Sequence, residues 1–447
     1  MMRLVTDNKT LPDVNYLVVG LGLSGAASAH FFLAGGYRCR VYDSSDAPTC
    51  LSSLEQRFPA LEFFSGDLGF DLVDWADVLV ISPGISLRQP PFERARAQGK
   101  ILVGDVELFA QLAEGPIVAI TGSNGKSTVT SLVGEVTKAA GLAVGVGGNI
   151  GTPVLDSLGR ETNCYVLELS SYQLETLESL QPKVAALLNL CEDHLDRYDS
   201  YRDYIDTKRR IFRNAEICVS NADDKATICA DSDVRFSLTP DSNVAFHLME
   251  DNGYWLAHQS DPWLKVDALS ITGRHNWANC LAAMAITHSL GIDRDTIVKA
   301  ICGFAGIAHR SQWVDEIDGV EWINDSKATN VGAAQASIDG RDRPVILIAG
   351  GQSKGADMSH MVDSLRRRVK LVLLLGEDAG RLQQAWKAAT RVQRVSDMRE
   401  AVERANAAAV SGDCVLLAPA CASFDMYEKF EARGEDFMQR VAELRHG

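Results

Sequence analysis

At 447 residues the chain has the length of two to four ordinary domains, and 46% hydrophobic with 23% charged residues is the balance of a folded globular protein. The 44 Lys and Arg against 59 Asp and Glu leave a net charge of −15. That balance excludes broad binding to nucleic acid or to anionic membranes, while a few local cations can still hold a small anionic substrate. Ten cysteines without paired spacing, no apolar run of membrane-spanning length and no signal-peptide core predict a cytoplasmic protein with reduced thiols.

Short β-rich runs alternate with helical stretches almost throughout, the pattern of parallel sheets with crossover helices. The first unit opens with a strand over 16–19 and a helix near 24–34, followed by strands over 38–42 and 78–81. Residues 104–107 read as a connector. A second unit restarts with a strand over 116–120 and includes buried strands over 165–169 and 184–190. Tyr201 opens a helix reaching to 213, and Asp251-Asn252-Gly253 divides 244–258 into a hairpin. A third unit begins with a hairpin around Asp318-Gly319. It continues with strands near 345–349, 371–375, 392–395 and 415–418, and a last helix covers about 426–445. Three α/β domains are expected, over 1–104, 105–309 and 310–447.

Gly20-Leu21-Gly22-Leu23-Ser24-Gly25 joins a strand to a helix, with Asp43 ending the next strand. Such glycines let backbone approach a phosphate at a helix N-terminus; the ligand is open between a nicotinamide or flavin cofactor and another nucleotide diphosphate, and a bare tight turn is the alternative. Thr121-Gly122-Ser123-Asn124-Gly125-Lys126-Ser127-Thr128 follows a strand and opens a helix. Its amides suit phosphates, Lys126 suits the β/γ oxygens and Ser127 a metal, although Ile120 stands where the usual P-loop has glycine. Glu168, at a strand end, is either a metal carboxylate or an ordinary capping glutamate. His194, within Glu192-Asp193-His194-Leu195-Asp196, suits metal or phosphate work or a structural hydrogen bond. Lys208 beside Arg209 and Arg210 reads by composition as a solvated basic face, and Asn276 as a cap for the helix that follows. Arg310, at a domain junction, either clamps a transferring phosphoryl group or ties down the linker. In the third unit NDSKATN (324–330), GGQSKG (350–355) and PACAS (419–423) are polar loops at strand ends of one sheet, so they converge on one crevice. Lys354 and Ser423 there suit an anionic acceptor.

The ordered set of TGSNGKST, EDHLDRY, NDSKATN, GGQSKG and PACASFD, spread over nearly the whole chain, resembles the muramyl ligase family of cell-wall synthesis. The resemblance implies three domains: a Rossmann-like N-terminal one, a central P-loop mononucleotide-binding one and a C-terminal Rossmann-like one. It implies an ADP-forming amide ligase, monomeric, that adds D-glutamate to UDP-N-acetylmuramoyl-L-alanine with ATP and two magnesium ions, with no NAD or flavin. Ser24, Asp43, Gly84 and Asn149 would hold the UDP-substrate. Gly122, Ser123, Asn124, Gly125, Lys126, Ser127 and Thr128 would bind the ATP phosphates, with Asn276 and Arg310 also on ATP and Asp325 on its ribose. Ser127, Glu168, His194 and a carbamylated Lys208 would hold magnesium. Lys327, Thr329, Lys354, Ser423 and Phe430 would shape the D-glutamate site. Lys126, His194, Lys208 and Arg310 would be catalytic.

Overall fold

The computed structural model describes residues 4–5, 10–158, 161–193, 197–229, 234–240, 244–271, 273–353 and 355–445. Among them the strands form three sheets in chain order. The first contains β1 (Tyr16–Val19), β2 (Cys39–Tyr42), β3 (Glu62–Phe64), β4 (Val78–Ile81) and β5 (Ile101–Val103), in the order β3-β2-β1-β4-β5 and parallel throughout. β1 and β4 are buried along their whole length, as the unbroken YLVV and VLVI runs require of central parallel strands. Helices α1 (Leu23–Ala34), α2 (Leu51–Arg57), α3 (Phe70–Trp75) and α4 (Pro90–Ala97) are its crossovers. The strand order reverses between β1 and β4, so the glycine turn after β1 and the Ser82-Pro83-Gly84 loop after β4 face one crevice. Gly25 is obligatory there: a Cβ would run into the carbonyl oxygen of Gly20.

Residues 104–107 are not a connector. They open α5 (Asp105–Leu112), whose Val106, Leu108 and Phe109 are fully buried. One core runs without interruption from the first sheet into the second through this helix, with Phe109 edge-on to Tyr165 at 5.0 Å. The helix is only eight residues long and buries Asp105 and Glu107 in its first turn, which is why GDVE does not read as helical. β3 and β5 also escape the sequence reading, since each is only three residues long and partly exposed.

The second sheet contains β6 (Ile117–Thr121), β7 (Val144–Gly148), β8 (Cys164–Glu168), β9 (Val184–Leu187), β10 (Ile217–Asn221), β11 (Val234–Ser237), β12 (Phe246–Glu250), β13 (Tyr254–His258) and β14 (Asp261–Lys265). Its order is β14-β13-β12-β11-β10-β9-β6-β8-β7, with the expected hairpin β12–β13 paired antiparallel. Its helices are α6 (Lys126–Ala139), α7 (Ser171–Glu175), α8 (Tyr201–Arg209), α9 (Arg274–Ser289) and α10 (Arg294–Gly303). α8 stops at Arg209 and tightens into a 3-10 turn, Arg210–Phe212, rather than continuing to 213.

The third sheet contains β15 (Gln312–Ile317), β16 (Val320–Asn324), β17 (Val345–Gly350), β18 (Val369–Leu375), β19 (Arg391–Arg394) and β20 (Cys414–Leu417). Its order is β15-β16-β20-β17-β18-β19, the β15–β16 hairpin antiparallel and the rest parallel. α11 (Val331–Asp339), α12 (Val362–Arg368), α13 (Ala379–Trp386), α14 (Met398–Ala408) and α15 (Phe430–Glu443) cover its two faces, each over its own core. α15 is held by the fully buried Phe437, packed on Trp322 at 6.2 Å. Phe437→Ala is expected to destabilise this third unit by about 3–5 kcal/mol, the usual cost of emptying a core aromatic site. Chemical denaturation should show a lowered transition for that unit.

Candidate functional site

The loop 122–125 leaves the buried β6 and enters α6 with no side-chain cap at the helix N-terminus. Uncapped N–H groups at the positive end of a helix are a ready site for phosphate oxygens. Gly125 sits at φ +80°, and a Cβ there would run into the Asn279 side chain. The loop is braced from β9's side, where the Ser123 amide donates to Asn189 O at 2.8 Å and the Asn124 amide to Asn189 Oδ1 at 2.8 Å. Thr128 is buried behind it.

Cations surround this loop. Lys126 Nζ donates back to Gly122 O and Ser123 O, both at 2.8 Å. Lys208 is not on a solvated face: it is 2% exposed, with Nζ donating to Thr121 Oγ1 at 3.0 Å and Gly122 O at 2.9 Å. Its neighbours face inward too, Arg210 donating to Glu175 O and Leu177 O and Arg209 to Ile228 O. Arg310 reaches across from the third unit, Nη2 donating to Ser127 Oγ at 2.6 Å. Burial pushes the pKa of Lys126, Lys208, Arg310 and Lys327 below their ordinary values; Lys126 depresses Lys208 further, and Arg310 depresses Lys327. Buried and half-buried cations of like sign that weaken one another's charged forms are the electrostatics of a polyanion site.

Glu168 ends β8 at 1% exposure and is a carboxylate that faces all four. Its Oε2 accepts from Ser127 Oγ at 2.6 Å and its Oε1 from Asn149 Nδ2 at 2.7 Å. The Ser127 hydroxyl and the Glu168 carboxylate form a hard, all-oxygen donor pair, which fits magnesium completed by waters and phosphate oxygens. No trio of His, Cys, Asp or Glu among the described residues forms a closed metal cage. His194 lies outside the described residues, as does Lys354.

Ser24, Asp43, Gly84 and Asn149 come together on the wall of one cavity of about 550 Å³ between the first and second sheets, with Gly20, Ser82 and Gln173 beside them. Asp43 braces the glycine turn, its Oδ2 accepting from Leu21 N at 2.6 Å and its Oδ1 from Ser45 N at 2.9 Å. Asn149 belongs both to this cavity and to the Glu168–Ser127 chain, so hydrogen bonds link the cavity wall to the start of α6.

The third unit closes the far side. Asn276 is not a helix cap: α9 starts at Arg274 after Gly273, and the buried Asn276 accepts from Asn279 Nδ2 at 3.1 Å. His275 meets Ser311 Oγ at 3.2 Å through Nε2, joining α9 to the third unit beside Asp325, whose carboxyl burial pushes up. Lys327 Nζ lies 4.2 Å over the Phe430 ring, and the Thr329 amide turns back onto Lys327 O at 2.7 Å. Ser423 is buried at the start of the turn that leads to α15.

Two residues that the sequence reading missed organise these groups. Arg433, 2% exposed on α15, donates to Ser326 Oγ at 3.0 Å, Ser326 O at 2.9 Å and Cys421 O at 3.2 Å, tying the 324–330 and 419–423 loops together. Tyr204 OH lies 2.9 Å from Ser123 Oγ, under the phosphate loop. Nothing local marks either: one stands in a charged helix, the other in a run of tyrosines.

The junction carries a pH signature. Burial, and then Arg341, lower the His275 pKa from 6.5 to about 3. Below pH 6.5 the unfolded chain binds a proton that the folded chain refuses, so stability falls as pH drops from 6.5 towards 3. At pH 5 this one group should cost about 2 kcal/mol. His275→Gln is expected to flatten the acid limb of a stability–pH profile by that amount.

The Mur ligase MurD-like N-terminal domain family matches residues 14–104, the Mur ligase middle domain 120–287, and the Mur ligase glutamate ligase domain 309–421. A UDP-N-acetylmuramoylalanine–D-glutamate ligase of Pseudomonas aeruginosa is 46% identical over 437 residues, 96% of this chain and 98% of its own length. Its counterpart of Methylococcus capsulatus is 42% identical over 99% of both chains. Among solved structures, a pseudomurein peptide ligase type C from Methanothermus fervidus matches with a TM-score of 0.62 at 18% identity, covering 96% of this chain and all of its own. A UDP-N-acetylmuramate-alanine ligase from Thermotoga maritima gives 0.61 at 18% identity, over 96% and 99% of the two chains. With three family domains in order and near full-length relatives well above 30% identity, the chain belongs to the Mur ligase family.

Proposed function

We propose that this chain is an ATP-dependent, ADP-forming ligase that joins D-glutamate to the L-alanyl carboxyl of UDP-N-acetylmuramoyl-L-alanine, a step of peptidoglycan precursor synthesis. The observation that carries the reading is the Asn149–Glu168–Ser127 chain, which connects the 550 Å³ cavity to the phosphate loop. An acyl phosphate can form only where a bound carboxylate meets a bound triphosphate. The names of the relatives, UDP-N-acetylmuramoylalanine–D-glutamate ligases, support the choice of substrates.

In this reading residues 1–104 bind the UDP-substrate, 105–309 bind ATP and 310–447 bind D-glutamate. Ser24, Gly84 and Asn149 contact the UDP-substrate, with Asp43 shaping the turn. The loop Gly122–Ser123–Asn124–Gly125 and the helix start Lys126–Ser127–Thr128 hold the phosphates, while Asn276, Arg310 and Asp325 hold the remainder of ATP. The L-alanyl carboxylate takes the γ-phosphoryl group, and ADP leaves. The D-glutamate amine, losing a proton, attacks the acyl phosphate carbon; the tetrahedral intermediate collapses to an amide and inorganic phosphate. Lys126 and Arg310 neutralise charge on the transferring group without having to reorganise. Lys327, Thr329, Lys354, Ser423 and Phe430 receive D-glutamate, the cations taking its carboxylates.

Magnesium, held by Ser127, Glu168, His194 and a carbamate on Lys208, would supply charge neutralisation at the phosphates. The Lys208 amine, buried and depressed in pKa, suits carbamate formation because its neutral form is the one that adds carbon dioxide. The ten cysteines are all free thiols, and no helix among the described residues is long and apolar enough to cross a membrane.

Phosphate release is expected to require ATP, UDP-N-acetylmuramoyl-L-alanine and D-glutamate together; equal turnover with L-glutamate would defeat the proposal. Ser423→Ala should raise the KM for D-glutamate about ten- to a hundredfold, the loss of roughly 1.5–3 kcal/mol of charge-assisted hydrogen bonding, with the KM for ATP little changed. Lys208→Arg keeps positive charge but cannot form the carbamate, so turnover should collapse while nucleotide binding, read by calorimetry, is largely retained.

A further inference from the structure

The seam between the first and second sheets carries a polar network that the chemistry above leaves unused. Arg197 Nη1 donates to Gly84 O at 3.2 Å and Nη2 to Ile85 O at 3.0 Å, both in the loop that walls the cavity. The same guanidinium forks onto Glu175 of α7, Nε to Oε1 at 3.0 Å and Nη2 to Oε2 at 2.7 Å. It lies over the Tyr172 ring at 4.2 Å, and Tyr198 OH donates to Glu175 Oε1 at 2.9 Å. The two side chains are only 11% and 18% exposed. A planar fork, stacked on a ring and shielded from water, holds its direction in a way that a flexible ammonium cannot.

The network reaches both ways. Ser82 Oγ, in the same loop, donates to Gly20 O at 2.8 Å, so the wall and the glycine turn move as one. On the other side Arg88 bridges to Asp199 and Asp203. Asp203 is in the first turn of α8, and five residues further along that helix Lys208 bonds the phosphate loop. At 1.5 Å per residue the helix spans roughly 7.5 Å between those two attachments. The segment that follows the cavity wall and the phosphate loop thus both contact α8, the first through the exposed ion pairs of Arg88 and the second through the buried Lys208.

We propose that Arg197, oriented by Glu175, is a positioning residue that sets the Ser82-Pro83-Gly84-Ile85 wall of the UDP-substrate cavity relative to the phosphate loop. It touches no reacting atom; it determines where the substrate carboxylate lies when the γ-phosphoryl group is transferred. An error of about 1 Å in such an approach costs about a hundredfold in rate. The proposal rests on the reading of the cavity as the UDP-substrate site.

The test compares Arg197→Lys, Glu175→Gln and the double variant in the full-length protein. It uses steady-state kinetics, calorimetry with UDP-N-acetylmuramoyl-L-alanine and with a non-hydrolysable ATP analogue, and thermal melting. Each single substitution is expected to weaken the UDP-substrate about tenfold and lower kcat at least tenfold, with ATP-analogue affinity within about twofold. The double variant should be no worse than the weaker single one, because the two residues act as one unit. Unchanged UDP-substrate affinity and kcat in both singles would overturn the proposal. So would equal losses for both ligands accompanied by a lowered melting temperature, the mark of a merely structural pair. If the unsubstituted protein binds the ATP analogue but not the UDP-substrate, the reading of the cavity fails first, and the role of Arg197 with it.

Discussion

Positive charge withdrawn from water is the constraint around which the rest of the molecule is arranged. Lys126, Lys208, Arg310 and Lys327 all have pKa values pushed down by burial, and Glu168 is the fully buried carboxylate they share. Taking a cation from water without full compensation is costly, and the expense is offset when a polyanion binds. Backbone carbonyls soften it: Lys126 and Lys208 both donate to Gly122 O, so the loop is held by the cations that a phosphate would engage. A loop stabilised in that way is preorganised, and charge developing during phosphoryl transfer meets donors already in position.

The three sheets are joined by two different kinds of contact. α5 welds the first to the second through a continuous apolar core, which makes the cavity between them a fixed shape. The third unit has its own two cores and meets the second through polar contacts, Arg310 with Ser127 and Ser311 with His275. Apolar burial is roughly proportional to area and hard to break piecemeal, whereas a few hydrogen bonds exchange readily with water. The third unit is therefore held to the second by contacts that exchange more readily than the shared core that joins the first two.

Arg433 does within the third unit what α5 does between the first two. Loops at the ends of β16 and β20 would otherwise be free to splay, and one buried guanidinium bonded to Ser326 and Cys421 carbonyls holds them in register. Burial lowers its pKa to about 10, still far above neutrality, so it stays a full cation with five donors to distribute.

The chain alone determined the three-unit α/β organisation, because hydrophobic runs and glycine-rich turns are local signals: β1 and β4, the two hairpins and the phosphate loop all lie within a residue or two of where the pattern puts them. The family resemblance, and no local pattern, grouped Ser24, Asp43, Gly84 and Asn149, which come from four separate segments and line one cavity. Tertiary structure alone decided what long-range packing controls. α5 looks like a linker because its first turn carries Asp105 and Glu107, which only packing between two sheets buries, and Lys208 looks like a surface lysine because the phosphate loop that covers it lies some eighty residues earlier. Tyr204 and Arg433 carry no local mark at all, and Arg197, although it stands in EDHLDRY, shows nothing there of its partners, since each acts on backbone or side chains distant in sequence. Local patterns record what a residue does to its neighbours in the chain; partners brought by folding are written only in the fold.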